Sequence, residues 1–282
     1  MIVVMRMPSL SSVLGAVLIF GFGCSVALAV SSSFETTDGP YVNGSSIGGK
    51  TDSSIGGSWS SVSGAVSSNV NVLDGSLAIR ATDTSTSTSA GGTMSWTNAA
   101  SLMTSPFTFQ FSLAIASDYS VGTTNQVQVY LGQAQAGDFN HWASVYFDEG
   151  NFKMATGNGT TDSWVGLGSY TTYSNYGEYV TFSLTIDPTT KKFTNVTVDG
   201  TKTAVPSSFT TAVQASNGGT IPWNSASGTP SNQMLLITGG NDTVTVDFDA
   251  FSITSAVPEP SAWALLLLAS ALLPLRRRFK FV

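Results

Sequence analysis

The chain has 282 residues, 10% of them charged, and its 17 acidic and 11 basic side chains give a net charge of −6. Phosphate recognition relies on clustered lysine and arginine, so this balance argues against a nucleic-acid partner. One cysteine and one histidine exclude a disulfide and a zinc cluster, and 28 glycines with so few charges argue against a helical bundle.

The N-terminus places Arg6 before an apolar stretch from Val13 to Leu28, and Ala27-Leu28-Ala29 supplies the small residues that a signal peptidase requires. Residues 1–29 are therefore expected to be a secretory signal peptide cut after Ala29. Reading Cys24 as a lipoprotein cysteine is disfavoured, because Gly21-Phe22-Gly23 before it lacks a lipobox pattern. Removal of the leader leaves a domain without cysteine, which must be held by core packing.

Residues 30–256 have the size of one all-β domain. Period-two alternation predicts strands at Phe107 to Ile115, Gln126 to Leu131 and Tyr179 to Ile186, with others at 76–82, 142–148, 152–155, 192–198, 233–238 and 243–253. In the first of these, Phe107, Phe109, Phe111, Leu113 and Ile115 share one face, and Thr108, Gln110 and Ser112 the other. Turns are expected at Asp148-Glu149-Gly150-Asn151, at Asp187-Pro188-Thr189-Thr190 and at Asp199-Gly200, the last as a two-residue hairpin. The stretch from Thr82 to Thr93 reads as a loop or polar hairpin tip, 208–215 as a short helical turn, and 217–232 as an irregular surface loop.

At the C-terminus, Val257-Pro258-Glu259-Pro260-Ser261 leads into an uncharged run from Ala262 to Leu275, and Arg276, Arg277 and Arg278 follow. The run is shorter than the roughly 20 residues that span a bilayer comfortably, and Pro274 weakens its last turn. The arginine triplet favours retention on the cytoplasmic side, so the domain before it faces outward. Pro258 and Pro260 hold the approach extended and leave the backbone at Glu259 open to an enzyme.

This tail over 257–282 resembles the PEP-CTERM sorting signal of Gram-negative bacteria, also known as the C-terminal domain of ice-binding proteins. The resemblance implies processing by an exosortase, transient anchoring in the inner membrane, and delivery to the cell surface or extracellular matrix. Phe34-Glu35, Gly56-Gly57-Ser58-Trp59, the hairpin from Val180 to Gly200 and the closing strand Val246 to Ile253 resemble the concanavalin A-like, or laminin-G-like, jelly roll. An all-β, single antiparallel sandwich is expected, with an apolar helix after it.

The paired acids of the laminarinase-like strand are absent, and glycoside hydrolysis needs two carboxylates flanking the bond. His141 is the sole histidine, and Asn140 and Trp142 around it give no nucleophile-elbow context. Jelly-roll carbohydrate modules imply a structural calcium joining first and last strands, which places Glu35 with Asp247 or Asp249 as candidate ligands. Sugar rings dock on exposed aromatics; Trp142, Tyr146, Trp164, Tyr170, Tyr173 and Tyr176 are the candidates, whereas Trp59 and Trp96 read as core. The Thr-Ser alternation over 82–89 is too short for an ice-binding array. The expected function is a non-catalytic surface or biofilm-matrix protein, structural or binding extracellular polysaccharide; the alternative is a glycan-active hydrolase of the same superfamily.

Overall fold

Alternate burial along the chain sets its architecture: Val180, Phe182, Leu184 and Ile186 are fully buried while the residues between them are half-buried. The computed structural model describes residues 29–255 except 63–64, 69–71, 84–89, 98, 118, 120–125, 133–140, 158–161, 204, 222–231 and 240–243. Residues 1–28 of the expected leader 1–29 and the sorting tail from 257 onward, with its apolar helix, therefore lie outside the described residues.

Among the described residues sixteen strands form. They are β1 (Ala29–Ser32), β2 (Thr51–Asp52), β3 (Gly57–Val62), β4 (Ala65–Ser68), β5 (Ala78–Asp83), β6 (Ala90–Ser95), β7 (Phe107–Ile115) and β8 (Gln126–Leu131). There follow β9 (Ala143–Asp148), β10 (Asn151–Gly157), β11 (Asp162–Ser169), β12 (Val180–Asp187), β13 (Lys192–Gly200), β14 (Ser207–Ser208), β15 (Gln233–Gly239) and β16 (Val244–Ser255). One sheet runs β14-β13-β12-β7-β16-β5-β4, with β1 also on β16; the other runs β11-β10-β9-β8-β15-β6-β3-β2. The chain changes sheet between β1 and β2, β3 and β4, β5 and β6, β6 and β7, β7 and β8, β11 and β12, β14 and β15, and β15 and β16, so many neighbours in space are distant in sequence. This is the antiparallel sandwich that the alternation allows, with the jelly-roll arrangement that the resemblance implies.

The two inner faces meet through aromatic contacts. Phe152 on the second sheet meets Phe182 on the first with centroids 4.8 Å apart, and Trp96 packs on Phe109 at 6.2 Å. Trp59 and Trp96 are both core residues. Each fully buried side chain of this size contributes roughly 1.5–3 kcal/mol, so the core holds the domain without a disulfide. Buried Asp52 ties the N-terminal segment in. It accepts hydrogen bonds from Ser32 Oγ at 2.5 Å, Tyr41 Oη at 3.0 Å and the Ile55 amide at 3.0 Å.

Two turns form where expected. Glu149 and Gly150 take φ of 49° and 84° between β9 and β10, and Asp187 Oδ1 accepts the Thr189 amide between β12 and β13. The short helix Thr210–Ala215 lies within the expected helical turn. Asp199-Gly200 is not a turn: Asp199 pairs with Thr181 and Gly200 with Val180, inside the β12–β13 ladder. Glycine is needed there because a Cβ would approach the Tyr173 carbonyl oxygen to 2.5 Å. The expected loop over 82–93 is also corrected, since β6 begins at Ala90 and pairs with both β3 and β15.

Candidate functional site

The second sheet turns a polar and aromatic surface away from the core. On β8, Val127, Val129 and Leu131 point inward, which sets Gln126, Gln128 and Tyr130 on the opposite side. The same alternation sets Tyr146 and Asp148 outward on β9, Lys153 on β10, and Trp164 and Gly166 on β11. Strand register then brings them into one row: Gln128 is opposite Tyr146, Tyr146 opposite Lys153, and Lys153 opposite Gly166.

The side chains form one continuous network. Lys153 Nζ donates to Asp148 Oδ2 at 2.6 Å and lies 5.3 Å from the Trp164 ring centroid and 5.9 Å from that of Tyr146. Tyr146 meets Trp164 edge to face, centroids 4.7 Å apart. Tyr146 also shares a hydrogen bond with Tyr130, whose hydroxyl reaches Gln128 Oε1 at 2.9 Å. Gln128 Nε2 donates to Gln126 Oε1 at 2.8 Å, and Gln126 Nε2 reaches Asp148 Oδ1 at 3.4 Å. Trp164 remains 45% exposed although it is a large apolar ring. A rigid aromatic plane beside fixed amide and ammonium groups can stack on an apolar ring face and hydrogen-bond its rim.

The other aromatic candidates fall elsewhere. Trp142 is buried against Phe107 at 5.2 Å, and Tyr170 and Tyr173 are buried in a one-turn helix, Tyr170–Tyr173. Their hydroxyls donate to the carbonyls of Glu178 and Leu167 respectively. Tyr176 stacks on Tyr170 at 4.9 Å and is half-buried. The expectation that Trp142, Tyr170, Tyr173 and Tyr176 present ring faces to a ligand is therefore corrected for the three buried rings, and Tyr176 covers Tyr170.

The three acids expected at a calcium are held apart by separate donors. Asp247 takes both Arg80 Nε and a terminal guanidinium nitrogen at 2.6 Å. Asp249 accepts the amides of Leu73, Asp74 and Ala250 at 2.9, 3.0 and 2.7 Å. Glu35 accepts the amides of Ser76 and Leu77 and the Ser76 hydroxyl. Among the described residues no group of three His, Cys, Asp or Glu side chains is placed to hold a metal ion. Glu35 and Asp249 instead grip the two ends of the turn from Leu73 to Leu77. Burial pushes the Asp249 carboxyl up to about 6 despite its three donors. Burial also raises that of Glu35, but its donors outweigh it and leave the group below its ordinary value.

His141 is buried, its Nε2 2.9 Å from Ser144 Oγ and its ring edge-on to Tyr130 at 5.7 Å. The outer side of the first sheet differs from that of the second. Thr108 and Thr185 share a hydrogen bond at 2.9 Å, and Ser112 and Thr181 at 2.8 Å, across β7 and β12, with Gln110 exposed between them. Sequence reasoning missed Lys153, Gln126 and Gln128 as site residues; their strands were legible, and the register that gathers them was not. Among the described residues no helix is long and apolar enough to cross a membrane.

No family model matches the sequence, and no curated protein matches it. A botulinum neurotoxin type C structure, whose subject is cell entry through interaction with two ganglioside molecules, is 9% identical and superposes with a TM-score of 0.50 over 86% of this chain and 51% of its own. The binding domain of botulinum neurotoxin serotype D/C gives 8% identity and a TM-score of 0.50 over 85% and 51%. A carbohydrate esterase of a Shiga toxin-encoding bacteriophage gives 16% identity and a TM-score of 0.42 over 70% and 89%. The chain thus spans about half the length of the neurotoxin chains it resembles, and at these identities the likeness is one of fold.

Proposed function

We propose that this protein is an exported, non-catalytic β-sandwich that binds extracellular polysaccharide on the outer face of its second sheet. The observation that carries this reading is Trp164, a half-exposed indole fixed by Tyr146 and flanked by Lys153 on a network of amides and a carboxylate. Sugar rings present C–H faces for stacking and hydroxyl rims for such groups. The fold shared with a neurotoxin chain described through its ganglioside interaction fits the same reading. Asp148 is bound to Lys153 and Gln126, whereas hydrolysis needs two carboxylates about the scissile bond; this supports a binder over the hydrolase.

The sorting signal completes the proposal. Val257 to Ser261, the apolar run and Arg276, Arg277 and Arg278 direct an exosortase-dependent route to the cell surface or matrix of a Gram-negative bacterium. Titration of the purified protein against a panel of polysaccharides, with Trp164→Ala as control, tests binding; equal response of both proteins overturns it. Deleting residues 257–282 tests sorting: the shortened protein is expected free in the medium, and unchanged cell association refutes the tail's role.

A further inference from the structure

Along β11 the exposed Trp164 is followed by two glycines, Gly166 and Gly168. Gly168 has φ of 93°, a left-handed conformation that favours glycine, and Gly168 and Gly166 flank the register shift between β10 and β11. Gly166 lies outside that conformational range, and a Cβ added there meets nothing within 4 Å. A glycine inside a strand is destabilising by roughly 0.5–1 kcal/mol, and a β-branched residue would suit an exposed strand better. Gly166 borders the register shift, but the left-handed residue there is Gly168, so neither the φ of Gly166 nor its packing demands glycine.

What the missing side chain leaves is bare backbone on an edge strand, two residues from the Trp164 ring and opposite Lys153. Glycine in a strand interior often marks close approach of a ligand. We propose that Gly166 is the floor of a ring-sized subsite for a neutral linear glycan, walled by Trp164, and that the glycan crosses β10 and β9 to Gln128 on β8. Three strand spacings separate Gly166 from Gln128, about 14 Å, room for about three sugar rings. The class is neutral because Lys153 is already neutralised by Asp148 at 2.6 Å. Gln126 and Gln128 each carry a donor and an acceptor, which suits hydroxyls rather than anions. This inference rests on the glycan-binding reading above.

The experiment uses the whole protein with Gly166→Val and Gly166→Ala, titrated with cellohexaose, laminarihexaose, their disaccharides and oligogalacturonate, beside Trp164→Ala. We expect G166V to melt at or above the wild-type temperature and to bind the preferred neutral hexaose at least tenfold more weakly, with G166A intermediate. The disaccharide should bind more weakly than the hexaose, and oligogalacturonate no more tightly. Wild-type affinity in both glycine variants sinks the subsite while leaving the glycan reading standing. Equal affinity for di- and hexasaccharide, or tighter binding of oligogalacturonate, overturns the crossing path or the neutral class. If wild type binds none of these, or W164A binds as wild type does, the glycan reading itself fails.

Discussion

The Trp164 ring stands nearly perpendicular to Tyr146, at 84°, with centroids 4.7 Å apart. Edge-to-face contact of this kind is worth roughly 0.5–1.5 kcal/mol beyond area burial, and it fixes the indole while leaving much of it open. A fixed ring loses little freedom when a ligand arrives, which is the main reason to place recognition here.

Trp164→Ala should therefore separate binding from stability. Removing a ring that is 45% exposed is expected to cost about 1–2 kcal/mol of unfolding free energy, the edge-to-face contact included. Glycan affinity should fall at least tenfold, roughly 1.4 kcal/mol. Calorimetric titration beside a thermal melt reads both.

Tyr170→Phe should behave in the opposite way. The hydroxyl donates to the Glu178 carbonyl and accepts the Ile115 amide at 3.1 Å within the core. Its loss leaves two buried backbone groups short of a partner, at a cost of about 1–3 kcal/mol. Glycan titration should be unaffected, since the ring lies inside the sandwich; denaturant unfolding measures the loss.

The turn from Leu73 to Leu77 makes a pH prediction. Asp249 has a folded value of about 6, above its ordinary 3.8, so the native state holds this proton more tightly than the unfolded chain does. Its contribution is full below about pH 4 and is lost as pH rises through 6, by at most about 3 kcal/mol. Glu35 is shifted downward, so its contribution is present above its ordinary value of 4.5 and lost on acidification below that. Asp249→Asn should flatten the decline in stability between pH 4 and 6. Buried Asp52, raised by desolvation, keeps a remainder of the slope. Urea unfolding across this range checks the sign.

Gly75→Ala should damage the same turn. Gly75 has φ of 80°, and a Cβ there would come within 2.4 Å of Glu35 Oε1. The backbone strain alone is of order 1–3 kcal/mol, and displacing the Glu35 carboxylate releases the Ser76 and Leu77 amides. A melting temperature lowered by several degrees is expected; Glu35→Gln should lower it less.

Strands whose inward positions are all large and apolar were legible, as at Phe107 to Ile115, because burial alone decides their period. β11 and β6 were not: Gly166, Gly168, Gly91 and Gly92 remove the contrast between faces that alternation depends on. Trp164 was singled out as a ring and missed as a strand residue for the same reason. Asp199-Gly200 misled because glycine there answers to Tyr173, a contact from 27 residues away in the chain that no local pattern carries. Glu35, Asp247 and Asp249 were legible as acids, but their partners are backbone amides and Arg80, which only the tertiary fold supplies.

The last strand has a mechanical consequence. Ile253 on β16 faces Val30 of β1 on one side and Phe109 of β7 on the other. Under the proposed anchoring, tension applied at Ser255 would run along a strand laced on both flanks and would have to shear two ladders at once rather than peel one. Drag on the proposed polysaccharide would then be borne by a strand inside a sheet and not by one at its edge.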